Sequence, residues 1–169
     1  MNESVYYNSP IGILQIRNSG NAITELSFVD KTGKETTGKN EIPAGKPSSP
    51  ILKKCIAQLD DYFSGKLFQF DLNLAQKGTA FQQQVWSELI KLKYGRTTSY
   101  LALSKSIGNE KAIRAVGTAN GKNNIAIIVP CHRVIGQDGS LVGYAGGLWR
   151  KHWLLDHEAK YANGVQTLF

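Results

Sequence analysis

The stretch that most constrains this chain is residues 125–136, Ile-Ala-Ile-Ile-Val-Pro-Cys-His-Arg-Val-Ile-Gly. Five apolar residues without polar alternation predict a segment buried on both sides. Pro130 ends it, and a thiol, an imidazole and a guanidinium follow side by side at Cys131, His132 and Arg133. A buried rail that delivers such a tripeptide reads as a site, and the rest of the chain as what brings a substrate to it. Adjacent residues on an extended strand point to opposite faces, so the backbone must turn sharply at Cys131 for thiol and imidazole to meet. Pro130, and Asn123 with an amide able to brace a tight turn, supply the means.

The rest of the chain bounds what that site can serve. Its 169 residues suffice for one ordinary domain or two small ones, and 41% apolar with 20% charged residues is a globular composition. No run of about 18 apolar residues occurs, which argues against a membrane-spanning helix. Glu3 and the lack of a basic start argue against a secretory signal, so a cytoplasmic protein with no membrane partner is expected. The only cysteines, Cys55 and Cys131, fit neither a disulfide framework nor a Cys/His zinc cluster. The net charge of +7 is unevenly spread. Residues 1–78 hold 9 Lys/Arg against 8 Asp/Glu, whereas residues 79–169 hold 11 against 5. The basic excess accompanies Cys131 and points to a polyanion partner.

In the first half, Val5 and Tyr7, Leu14 and Ile16, and Ile23, Leu26 and Phe28 read as strands around the turn signal at residues 18–21. Residues 30–50, with three glycines and three prolines, read as a long surface loop. Ile51, Leu52, Cys55, Ile56, Leu59 and Phe63 recur at helical spacing between Pro50 and Gly65, with Cys55 a buried, inert thiol. Phe68, Phe70, Leu72 and Leu74 alternate as a half-buried strand. This unit, residues 1–76, shows no site of its own.

After a linker at residues 73–78, Thr79 and Gln82 have capping-box spacing and open a helix striped by Phe81, Val85, Leu89 and Leu92, with Gly95 as its stop. Thr98 or Ser99 caps a short helix over residues 100–107, Gly108 breaks it, and Asn109 caps a second over residues 110–119. Helix, glycine turn and helix have the spacing of a helix-turn-helix. Ala112, Ala115 and Ala119 allow close approach to a neighbour, while Lys111, Arg114 and Thr118 share an outward stripe suited to phosphates and base edges. Residues 141–144 read as a short strand that gives the pair a wing, and residues 148–161 as a last helix. Glu158 shares that helix's inward side with Leu154 and Leu155, and a buried carboxylate needs a partner, for which His132 is available. Cys131, His132 and Glu158 then form a thiol–imidazole–acid relay in which His132 takes the thiol proton directly or through a water.

At this point the residues resemble the O6-alkylguanine-DNA alkyltransferase family. The resemblance is carried by Pro130-Cys131-His132-Arg133-Val134, Arg114-Ala115-Val116-Gly117, Gly143-Tyr144-Ala145-Gly146-Gly147 and Trp153-Leu154-Leu155-x-His157-Glu158, in order and spacing from Phe81 to Glu158. It implies an α+β fold: a small N-terminal α/β unit, ribonuclease-H-like, before a mostly helical winged helix-turn-helix over residues 79–169. It implies a single-turnover repair protein, a monomer without cofactor. Its partner is double-stranded DNA carrying an alkylated guanine, bound through the minor groove with the base flipped beside the cysteine.

Carried across, Cys131 accepts the alkyl group, His132 is its base through a water, Glu158 orients His132, and Asn123 braces the turn. Tyr100 crowds the target phosphate and assists protonation of the leaving guanine. Arg114 fills the gap left by the flipped base, with Asn109, Lys111, Ala112 and Thr118 beside it on DNA. The backbone carbonyls of Cys131 and Val134 read the guanine amino group, Tyr144 forms a wall, and Ala145 supplies an amide to O6. Gly146 stands where some bacterial members have Trp, which implies room for bulkier alkyl groups. No histidine precedes His132, so the structural zinc of some members is not expected. The other readings of the same residues are a damage sensor without catalysis, a DNA-binding regulator with Cys131 merely buried, and a thiol hydrolase built on Cys131, His132 and Glu158.

Overall fold

The computed structural model describes residues 2–30 and 46–163. Most of the expected loop at residues 30–50 lies outside the described residues. Three strands, β1 (Ser4–Ser9), β2 (Gly12–Ser19) and β3 (Ala22–Phe28), form an antiparallel sheet in chain order. Val5 faces Ile16, Tyr7 faces Leu14, and Ile16 faces Leu26, so the alternating apolar residues share one face. Helix α1 (Pro50–Phe63) lies on that face and buries Leu52, Cys55, Leu59 and Tyr62 against it. Ser49, its N-cap, makes no side-chain cap. Instead Glu3 accepts from the Ser48 and Ser49 amides at 3.1 and 2.7 Å, so a carboxylate from the chain start sits at the positive helix end.

The strand expected over residues 68–74 does not form. Burial alternates from Phe70 to Leu74, but only one parallel bridge, Leu74 to Ile23, joins the segment to the sheet, and Phe68 is 51% exposed. The free edge of β3 is divided between two visitors. Ile23 exchanges backbone hydrogen bonds with Asn73 and Ala75, and Leu26 with Asn124 and Ala126. The sheet therefore grips the segment that leads to Cys131, and no ladder partner is left for a longer strand.

Helix α2 (Ala80–Ile90) starts in the expected capping box, with Gln82 N–H donating to Thr79 Oγ1 at 3.1 Å and Thr79 N–H to Gln82 Oε1 at 2.9 Å. It ends at Ile90, earlier than Gly95, which turns the chain at φ +76°. Trp86 is buried and donates its indole N–H to the Ala119 carbonyl at 2.9 Å, tying α2 to the helix-turn-helix. A two-residue strand β4 (Thr98–Ser99) leads into α3 (Tyr100–Ser106), capped by the Ser99 hydroxyl, and Gly108 at φ +80° makes the turn. Helix α4 (Ile113–Gly121) begins later than expected. Asn109 is not its cap; it accepts a turn bond from the Ala112 amide, and Ala112 is the N-cap without a side-chain bond. Lys111 thus precedes the helix and does not share a helical stripe with Arg114 and Thr118.

The wing strand expected at residues 141–144 is absent as well. The small second sheet is parallel, pairing β4 with β5 (Val134–Ile135) through Thr98–Val134 and Ser99–Ile135. It joins the start of the helix-turn-helix to the end of the Cys-His-Arg turn. Helix α5 (Leu148–Ala162) closes the described chain. No helix among the described residues is long and apolar enough to cross a membrane.

Candidate active site

Four residues of the apolar rail are buried as expected, Ile125, Ile127, Ile128 and Val129 each 7% exposed or less, while Ala126 is only partly buried and lines a cavity; the rail is a turn and not a strand. Ile127 has φ 71°, a left-handed conformation that a β-branched residue avoids. Asn123 holds this strained loop from inside. Its Nδ2 donates to the Ile125 and Val129 carbonyls at 3.2 and 2.8 Å, and its Oδ1 accepts from the Ile125 amide at 3.1 Å. The linker residue Gln76 adds a bond to Asn123 Oδ1 at 3.0 Å and accepts from the Asn124 amide at 2.9 Å. The strain is stored where the chain must change direction, and a 3₁₀ turn, Cys131–Arg133, follows at once.

That turn sends the three side chains to different tasks. Cys131 lines a cavity of about 590 Å³, within the ordinary range for small-ligand sites. Tyr100, Arg114, Thr118, Asn123, Tyr144, Ala145 and Gly146 line it with Cys131. His132 and Glu158 lie behind it, 0% and 1% exposed, with His132 Nε2 at 2.7 Å from Glu158 Oε2. A carboxylate only accepts, so Nε2 carries the proton and the neutral ring keeps its lone pair on Nδ1. Nδ1 is buried and has no hydrogen-bond partner in the protein. Asn109, Lys111, Ala112 and Val134 are not among the lining residues. Asn109 and Lys111 are exposed beside α4, and Val134 is fully buried in β5.

Arg133, part of the tripeptide read as the site, has a partner that the sequence did not name, and several other contributors went unseen altogether. Arg133 closes on Glu158 with Nε to Oε1 at 2.7 Å and Nη2 to Oε2 at 3.0 Å, while Nη1 donates to the Leu92 carbonyl. Tyr62, from the half expected to have no site, donates its hydroxyl to Glu158 Oε2 at 2.7 Å. Its position, three residues after Leu59 and seven after Cys55 on the apolar face of α1, was the available signal. Lys151 is fully buried and donates to the Val142 and Gly143 carbonyls at 3.0 and 3.1 Å, fixing the loop before Tyr144. Arg150, also fully buried, bonds the Ile11, Asp30 and Gly146 carbonyls and lies 4.4 Å over the Phe28 ring. Gly146 leaves less room than its size implied. A Cβ there would meet Phe28 at 2.8 Å and Tyr144 at 3.0 Å, so an N-terminal aromatic already fills that space.

The charges follow from burial and partners. Burial pushes the Cys131 thiol up, against the smaller opposing pull of Asn123 and Lys151, so the resting group is the thiol. Burial also pushes His132 down and outweighs the Glu158 carboxylate, with Arg133 and Lys151 adding to the effect, so the resting imidazole is neutral. Burial alone would raise Glu158, but His132 and Arg133 outweigh it and hold the carboxyl well below the usual range. The residue after the protonated thiol thus holds a neutral ring whose Nδ1 has no protein partner, a base able to take one proton.

Two family models match the chain, "6-O-methylguanine DNA methyltransferase, ribonuclease-like domain" over residues 4–76 and "6-O-methylguanine DNA methyltransferase, DNA binding domain" over residues 80–160. The chain belongs to the 6-O-methylguanine DNA methyltransferase family. Among its relatives, a methylated-DNA–protein-cysteine methyltransferase of Mycobacterium leprae is 43% identical over 96% of this chain and 95% of its own. One from Methanosarcina barkeri is 46% identical over 91% and 97%. The crystal structure of Mycobacterium tuberculosis O6-methylguanine methyltransferase has a TM-score of 0.82 at 41% identity, covering 100% of this chain and 99% of that one. The M. tuberculosis OGT in complex with DNA has a TM-score of 0.80 at 42% identity, covering 92% of each. The architecture of this methyltransferase family, a small sheet unit followed by a helical DNA-binding unit, is thus present over the whole described chain.

Proposed function

We propose that this protein repairs DNA by transferring the alkyl group of an O6-alkylguanine to Cys131, once per molecule. Methyl transfer from methylated DNA to a protein cysteine is the activity of the family to which the chain belongs. The observation that carries the residue assignment is the thiol's position on a cavity whose rim is Arg114 and Thr118 of α4. With α4 on the DNA, a base extruded into this cavity would meet the Cys131 thiol on its wall. In this reading residues 1–76 form the supporting unit and residues 79–169 the DNA-binding and transfer unit, and the protein acts as a monomer on duplex DNA.

The chemistry is a single in-line displacement. His132 Nδ1 takes the Cys131 proton through a water, the thiolate forms an S–C bond to the alkyl carbon, and the C–O6 bond breaks. Its electron pair leaves with guanine, which takes a proton assisted by the Tyr100 hydroxyl, now donated to the Val142 carbonyl at 2.9 Å. Glu158 holds the imidazolium that forms. Two residues of the cavity wall, Asn120 and Tyr144, also hold buried polar atoms without protein partners, Oδ1 and the hydroxyl. The product is a thioether, and no group here can hydrolyse it.

Mixing the protein with duplex DNA containing O6-methylguanine tests the reading. Restored guanine is expected to plateau at one per protein molecule. Continued turnover would make it a hydrolase, and binding without restored guanine a sensor. Arg114 is exposed and at the cavity rim. If it fills the gap left by the base, Arg114→Ala lowers the rate on duplex by at least about tenfold, because extrusion costs a few kcal/mol. The rate with free O6-benzylguanine stays nearly constant. Equal losses on both would contradict the gap-filling role.

A further inference from the structure

We propose that Tyr62 is a positioning residue for alkyl transfer, its hydroxyl setting how strongly Glu158 holds the His132 imidazole. The proposal rests on Cys131, His132 and Glu158 being the transfer machinery.

Glu158 Oε2 accepts from three donors at once, His132 Nε2 at 2.7 Å, Tyr62 Oη at 2.7 Å and Arg133 Nη2 at 3.0 Å. Oε1 takes Arg133 Nε at 2.7 Å and the Gly95 amide at 3.5 Å. Two carboxylate oxygens offer about four lone-pair sites, so the phenol and the imidazole draw on the same electron density. Burial, then the neighbouring carboxylate, push the Tyr62 phenol well above its ordinary value, so it remains a donor.

Tyr62 is also held in place more firmly than packing alone requires. It is fully buried, its ring is 5.4 Å from Phe70 and 5.3 Å from His157, and its own carbonyl accepts from His157 Nε2 at 2.8 Å. Side chain and main chain of one α1 residue thus grip α5 at Glu158 and at its neighbour His157. The other groups facing the carboxylate are Tyr94 from the segment after α2, His157 on α5 itself, and, further off, Tyr144. Lys151 acts on the imidazole. Of the donors on Oε2, the phenol alone carries no charge and takes no proton in the reaction. It can therefore tune the relay without being part of it.

Removing the phenol leaves Oε2 richer in charge, so it stabilises imidazolium better. His132 then protonates at a higher pH, and below that pH it can accept nothing from Cys131. In Tyr62→Phe the acid limb of the single-turnover rate on O6-methylguanine duplex moves up by about half a pH unit or more. Site-specific 3,5-difluorotyrosine, a more acidic phenol and better donor, moves it down. DNA affinity stays constant in both, because Tyr62 does not line the DNA-facing cavity.

The Nε2–H proton resonance of His132 reads the same contact without substrate. It moves downfield in Tyr62→Phe and upfield with difluorotyrosine. A lower melting temperature with unmoved pH limb and unmoved resonance would make Tyr62 purely structural and overturn the proposal. Absence of transfer by the unmodified protein would instead overturn the alkyl-transfer reading, while the resonance still decides the role of Tyr62.

Discussion

Glu158→Gln is expected to cost this protein both its activity and much of its stability. The carboxylate is 1% exposed and balances Arg133, itself 6% exposed, through two hydrogen bonds. A neutral amide leaves the guanidinium buried without a counter-charge, and breaking such a pair costs about 3–5 kcal/mol. For a chain of this size each kcal/mol lowers the melting temperature by roughly 2–4 °C, so a fall of about 10 °C is expected by calorimetry. The same change removes the group that stabilises the His132 imidazolium, and transfer should slow by about a hundredfold or more.

The pH dependence has a defined sign. Glu158 is held below its unfolded value by His132 and Arg133 after overcoming burial. Its contribution is therefore complete above the unfolded carboxyl value of roughly 4.3 and is lost as pH falls from there towards the depressed folded value. His132, pushed down mainly by burial, acts in the same direction, because below roughly 6.5 the unfolded chain binds a proton that the folded chain refuses. Wild type should lose stability steadily below about pH 6.5, and Glu158→Gln should lose less of it at the acid end. Wild-type melting and wild-type rate in the variant would contradict the account.

Cys131→Ser is expected to abolish transfer while leaving DNA affinity within about tenfold, since phosphate contacts dominate affinity. Serine keeps the shape of the turn, but an alkoxide is far harder to form beside a neutral imidazole than a thiolate. The second cysteine offers no substitute. Cys55 is fully buried in α1 against the sheet, and burial pushes its thiol up to about 12. Gel-shift titration and a single-turnover assay on the same preparation check both halves. Residual transfer at more than about a thousandth of the wild-type rate would point to another acceptor, because removing an essential nucleophile costs more than that.

What was legible in the sequence was whatever local pattern decides. The capping box at Thr79, the glycine turn at Gly108, the burial of Ile125 and of residues 127–129 and the inward Glu158 all rest on neighbours within a helical turn or two. What was not legible depends on competition between distant segments. The strand expected at Phe68–Leu74 failed because residues 124–126 claim part of the β3 edge. The rail became a turn because Asn123 and Gln76 pay for a left-handed Ile127 that no propensity favours. Tyr62, and the pairing of Arg133 with Glu158, were missed for one reason: a carboxylate with five donor groups looks in sequence like one needing a single partner. Gly146 implied space, but Phe28 from the other half of the chain occupies it.

The central claim is that Cys131 itself ends up carrying the alkyl group, and intact and peptide mass spectrometry after reaction with an excess of O6-methylguanine duplex tests it most directly. The account predicts a single added methyl per protein, stable to further incubation and located on Cys131, with Cys55 unmodified. An unmodified protein bound tightly to the DNA, or a methyl group on any other residue, would contradict it.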